Sequence, residues 1–170
     1  MIRKVIKAID NINEWTGRSV RWLAVFLMLV ICAEVFMRYV LNKPTIQGPV
    51  IASFSGAALY TLSWGYVHLH KRHIRVDVFY ASFPQRVKAV IDVLFAVLFL
   101  LPLITLLTYA GWEWMWYAYA TTERSLMTFW YPITSPVRTL VFIGLVLFAL
   151  EGLAQFARDI YTLVRNRAYD

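Results

Sequence analysis

The sequence predicts an all-α integral membrane protein, with four transmembrane helices and an N-terminal amphipathic helix lying in the membrane interface. Two observations carry that prediction. Four apolar stretches, residues 22–41, 48–67, 87–110 and 137–157, each approach the ~20 residues that a helix needs to cross a bilayer. Lys and Arg crowd into alternate connections between them. Lipid admits only helices or closed barrels, because every backbone N–H and C=O must find its partner inside the protein. In a chain of 170 residues, 60% of them hydrophobic, the remainder is too short for a separate soluble core. A single membrane domain over 1–170 is therefore expected.

The net charge of +7 is read through its distribution. Arg3, Lys4, Lys7, Arg18 and Arg21 precede the first stretch, Lys71, Arg72, Arg75, Arg86 and Lys88 lie between the second and third, and Arg158, Arg165 and Arg167 follow the fourth. The other two connections hold Arg38, Lys43, Arg124 and Arg138. Positive loops stay on the cytoplasmic side, which predicts both termini and the central loop there and no role in binding nucleic acid. The first apolar run is too long and too far in for a cleavable signal. Cys32 is the single cysteine, so no internal disulfide forms.

The elements follow in order. Ile2, Val5, Ile6, Ile9 and Ile12 recur at helical spacing opposite Arg3, Lys4, Lys7, Asp10 and Asn11, the pattern of a helix over 1–20 lying in the interface. A partner-binding helix carries the same pattern. In the second stretch Ser53, Ala57, Thr61 and Gly65 form a ladder of small residues four apart, which serves either packing within the chain or presentation to a neighbour. Pro102 removes a helix hydrogen bond inside the third stretch and permits a kink. Trp112, Trp114 and Trp116, with Trp130 beyond them, predict an aromatic belt on the non-cytoplasmic face, membrane lipid being the expected contact. Pro136 fits the first turn of the last helix.

Ionisable residues within spans are the first functional candidates. Glu34 lies four residues before Arg38, so the two pair along one helix face. Asp92 lies four after Lys88, and Glu151 meets no cation of its own helix before Arg158. His68, His70 and His73 crowd one loop edge, where a haem bridging two helices has no second ligand and a zinc set lacks donors. No phosphate-binding glycine loop and no nucleophile–base pair is found. The sequence thus points to no enzyme, no cofactor and no resident metal.

The stretch His73-Ile74-Arg75-Val76-Asp77, followed by Phe83-Pro84, resembles the His-x-x-Val-Asp pattern after the second span in the small membrane subunit of tripartite ATP-independent periplasmic (TRAP) transporters. Arg38-Tyr39 is similar to that family's first-span ending, Trp130-Tyr131-Pro132 with Pro136 to its approach to the last span, and Leu150-Glu151-Gly152 to the end of that span. Where many members carry a Trp and acidic residues before the second span, this chain has Ile46-Gln47-Gly48-Pro49. The resemblance implies a non-catalytic small subunit in a bacterial inner membrane. Its implied partners are a large multi-helix subunit that moves substrate with sodium and a periplasmic substrate-binding protein that delivers organic acids. It also implies that the chain steadies the stationary part of the complex. Partner or packing contacts are expected at the small-residue ladder, at Glu34 and Arg38, and at His73, Arg75 and Asp77. Two other classes compete: an autonomous proton-coupled exporter using Glu34, and a cytochrome b-type membrane anchor.

Overall fold

The computed structural model describes residues 2–70 and 84–165. Helix α1 (Ile2–Tyr39) is followed by α2 (Gly48–Leu69), α3 (Gln85–Phe95), a π-helical turn (Ala96–Leu100), α4 (Leu101–Ala120) and α5 (Ser135–Arg165). There is no strand among the described residues, and the one isolated bridge pairs Arg124 with Ile133. Three helical stretches, Arg3–Tyr39, Val90–Ala120 and Ser135–Val164, are long and apolar enough to cross a membrane. Helix α2 has the predicted extent and the length of a span, but its Ser, Thr, Gly, Tyr and His residues leave it less apolar than the other three. Two of its hydroxyls turn inward on its own carbonyls, Thr61 Oγ1 to Ala57 O at 2.8 Å and Ser63 Oγ to Leu59 O at 2.6 Å, which removes much of the cost of placing them in lipid.

The N-terminal amphipathic segment and the first apolar stretch, expected as two elements, form one uninterrupted helix of 38 residues, about 57 Å long. No proline interrupts residues 2–39, so nothing in the backbone ends the first helix where composition changes from amphipathic to apolar. Its apolar stripe is divided: Ile6 is buried, whereas Val5 and Ile12 are exposed. Asn13, from the segment expected at the interface, lies against Glu151, from within the fourth predicted span.

Helix α5 is the centre of the structure, packing against α2, α4 and α3 and more lightly against α1, which rests mainly on α2. Small residues set the spacing. A Cβ on Gly144 would lie 2.6 Å from the Thr61 carbonyl carbon and oxygen, so α2 and α5 approach backbone to backbone there. Gly111 admits Leu145 between α4 and α5, and Gly17 receives the ring of Tyr66 between α1 and α2.

The disturbance expected at Pro102 takes the form of the π turn just before it. The Leu101 N–H donates to Ala96 O, five residues back. Widening the helix ahead of a residue that has no N–H and whose ring crowds the preceding turn is a common way to accommodate proline.

Candidate functional site

Three polar clusters and one ladder of small residues hold several of the residues expected to be functional. The first cluster sits where α1 ends and α2 begins. Glu34 accepts a hydrogen bond from Arg38 Nη2 at 3.2 Å and another from the Thr45 hydroxyl. Thr45 Oγ1 in turn accepts the Gly48 N–H at 3.0 Å, satisfying one of the orphan donors at the start of α2. Pro49, with no N–H, leaves no donor to satisfy at its position. A Cβ on Gly48 would collide with Glu34 Oε2, so the carboxylate rests against the positive end of α2. The expected Glu34–Arg38 pair forms; the Thr45 link across the loop was not foreseen.

The second cluster joins the start of α1 to the last third of α5. Glu151 is fully buried. It accepts from Asn13 Nδ2 at 3.0 Å and from Arg158 Nη1 at 3.2 Å. Arg158 also binds Asp10 through Nη2 and Gln155 Oε1 at 3.3 Å, and Gln155 Nε2 donates to Asp159 at 2.8 Å. Gly65 makes room for this arrangement, since a Cβ there would overlap Asn13 Oδ1. Nearby, His70 Nε2 stands 3.4 Å from Glu14 Oε2 and its ring lies against Tyr66, a second link between α1 and α2. Sequence reasoning placed Arg158 as the next cation along α5 and missed Asp10 and Asn13, more than 130 residues away, for which no local spacing gives a signal.

The third cluster closes the connection between α4 and α5. Arg138 is buried. It donates to Trp114 O at 2.9 Å, pairs with Glu123 through Nη2, and stacks 4.4 Å from the Trp114 ring. Ser135 Oγ donates to Ala118 O, while Thr134 bonds Glu123 O through both its N–H and its hydroxyl. From sequence alone Arg138 is one of a few cations of the outer connections. Its position, one turn into an apolar helix, was the available signal.

The ladder on α2 divides by depth. Thr61 and Gly65 are buried against α5 and α1, Ala57 is half-buried, and Ser53 is exposed. Gly56, beside them, has no atom within 4 Å of where a Cβ would stand. Trp112, Trp114, Trp116 and Trp130 are all exposed, with Trp112 and Trp116 stacked at 6.1 Å. An apolar groove of about 510 Å³ runs between α4 and α5 from Leu101 to Trp112, closed on the α5 side by Phe142, Ala149 and Leu153. Its two threonines, Thr105 and Thr108, donate to carbonyls of their own helix. His73, Arg75 and Asp77 lie outside the described residues.

These arrangements bind helices to one another. Of the span carboxylates, Glu34 and Glu151 are each held by an arginine and at least one further donor. Among the described residues no group of three or more His, Cys, Asp or Glu is placed to hold a metal ion. Much of the exposed surface among the described residues is apolar or aromatic, including Trp22, Met28, Leu29, Phe36, Leu106 and Tyr109.

No curated protein matches the chain. Residues 27–162 match the family described as tripartite ATP-independent periplasmic transporters, DctQ component. That range takes in Glu34, the ladder, the Arg138 cluster, Glu151 and Arg158, and begins after Asp10 and Asn13. A membrane protein whose helices are clamped together and whose outer faces are apolar suits an assembly component, and by this match the chain belongs to the DctQ family, the small membrane subunits of TRAP transporters.

Proposed function

We propose that the chain, as one membrane domain, pairs with the large membrane subunit of a sodium-coupled importer and steadies its stationary part in the bilayer. A periplasmic binding protein supplies organic acids to that complex. The observation that carries this reading is the division of labour in the side chains. Glu34 and Glu151 are committed to internal clamps, while broad apolar faces on α1 and along α3, α4 and the α4–α5 groove stay open. A subunit that stays still while another moves needs rigid helix-to-helix links and a large surface for lipid and partner. The exposed Ser53 and the open space at Gly56 are contact candidates on α2, where a neighbouring helix can come close. The segment holding His73, Arg75 and Asp77 is a further one.

Both termini are assigned to the cytoplasmic side of the bacterial inner membrane on the distribution of Lys and Arg, and α2 is assigned as a fourth span. The exporter reading draws no support from Glu34, whose carboxylate is already held by Arg38 and Thr45. The test is reconstitution of the large subunit in vesicles with its binding protein, with and without this chain. Organic-acid uptake driven by a sodium gradient is expected only when all three are present. Equal uptake without this chain would overturn the proposal.

A further inference from the structure

The connection between α4 and α5, residues 121–134, is pinned at its base and apolar at its tip. At the base, Ser125 N–H donates to Pro132 O at 2.8 Å and Thr134 N–H to Glu123 O at 3.0 Å. Arg124 pairs with Ile133 in an antiparallel bridge, and Arg138 holds Glu123 from α5. The tip carries Leu126, Met127, Phe129, Trp130 and Tyr131. Leu126 and Phe129 are 84% and 85% exposed, the highest values among the described large hydrophobic residues. No Asp, Glu, Lys or Arg occurs between Arg124 and Arg138. Such a tip is poorly suited to water, and a firm base that holds it out implies a surface that receives it.

We propose that residues 126–131 form a wedge that inserts into the lipid headgroup layer on the side of the membrane where α4 ends. Three observations favour lipid over a protein pocket. The first is composition: Trp, Tyr and Phe with Leu and Met suit the boundary between headgroups and acyl chains. The second is level. Ser135 stands three residues before Arg138, about 4.5 Å along the helix, and the Arg138 guanidinium lies on Trp114 in the middle of the Trp-rich turn of α4. The loop is thus rooted at the level of the other interfacial aromatics. The third is charge. Glu123 is neutralised by Arg138, leaving the exposed Arg124 as the cation of the rim, placed to meet lipid phosphate.

The tip also meets much of its own backbone demand. Met127 N–H points to Ser125 Oγ at 3.4 Å, Trp130 N–H to Thr128 Oγ1 at 3.5 Å, and Tyr131 N–H to Thr128 O at 3.4 Å. Amides already turned toward acceptors lower the cost of leaving bulk water. Irregular backbone is not tolerated in the hydrocarbon itself, so the wedge stops at the headgroups. The inference requires only that the chain sit in a bilayer and does not depend on which subunit it joins.

The test uses the full chain with Cys32→Ser, carrying Phe129→Cys or, as a control, Thr121→Cys, each labelled with an environment-sensitive fluorophore. Each is placed in phosphatidylethanolamine–phosphatidylglycerol vesicles doped with a lipid bearing a nitroxide near its headgroup. At position 129 we expect blue-shifted emission and quenching by the nitroxide lipid several-fold stronger than at position 121. That pattern should persist with the large subunit present. Emission at 129 that is water-like and quenched by iodide as readily as at 121 would overturn the proposal. So would shielding at 129 that appears only with the large subunit or the binding protein and is insensitive to the nitroxide lipid, since the loop would then dock on protein. A Leu126→Ser, Phe129→Ser chain, read by loss of quenching at a label on Met127→Cys, tests the wedge without a label at its centre.

Discussion

Arg138 is a buried guanidinium whose three engagements, with Glu123, Trp114 O and the Trp114 ring, come from two separate elements. Replacing it with Ala leaves Glu123 without its cation and removes the second hydrogen bond to Trp114 O. We expect Arg138→Ala to lower stability by about 1–3 kcal/mol, read as a fall in unfolding temperature in detergent. Arg138→Lys should recover only a small part, because an ammonium lacks the planar fork that serves carboxylate, carbonyl and ring together. The opposite sign is expected at Thr122, a β-branched residue with φ of 48°. It closes α4 in a Schellman turn, with Glu123 N–H donating to Ala118 O at 3.1 Å and Thr122 N–H to Tyr119 O at 3.4 Å. Thr122→Gly should raise stability by about 1 kcal/mol, checked by the same melt. Local pairs were legible from sequence, as Glu34–Arg38 shows. Asp10–Arg158, 148 residues apart, depends on how α1 lies against α5, and no spacing rule reaches it.

The elements were largely legible, because apolar runs of span length admit few alternatives. The exceptions have physical causes. Composition changes near Trp22, but without a breaker the helix of α1 runs through the change. Pro102 signalled a disturbance without saying that a π turn would absorb it. Two predictions belong here. If Asp10 and Arg158 join α1 to α5, a double-mutant cycle with Asp10→Ala and Arg158→Ala should give a coupling of about 0.5–3 kcal/mol, whereas additive losses would deny the link. Gly144→Ala sets a methyl 2.6 Å from the Thr61 backbone, forcing α2 and α5 apart. It should cost about 1–3 kcal/mol in detergent melts, and Gly56→Ala, facing open space, should cost much less in the isolated chain.

Across the molecule, Arg138 and Arg158 stand twenty residues apart on α5, about 30 Å along the axis, close to the thickness of a bilayer's hydrocarbon core. Each anchors a clamp, one to α4 and its loop and one to α1. Between the two clamps small and apolar residues set close contacts, Gly144 against the Thr61 backbone and Gly111 against Leu145. This order was not legible, because the packing of α5 against α2, α4, α3 and α1 is a property of the assembled chain. The same holds for the outward faces, whose apolar character suits lipid and protein alike. Purification of this chain from native membranes through an affinity tag in mild detergent distinguishes the two most directly. A stoichiometric complex with one much larger multi-span membrane protein is expected. Recovery of this chain by itself, as a monomer or a stable homodimer, would contradict it.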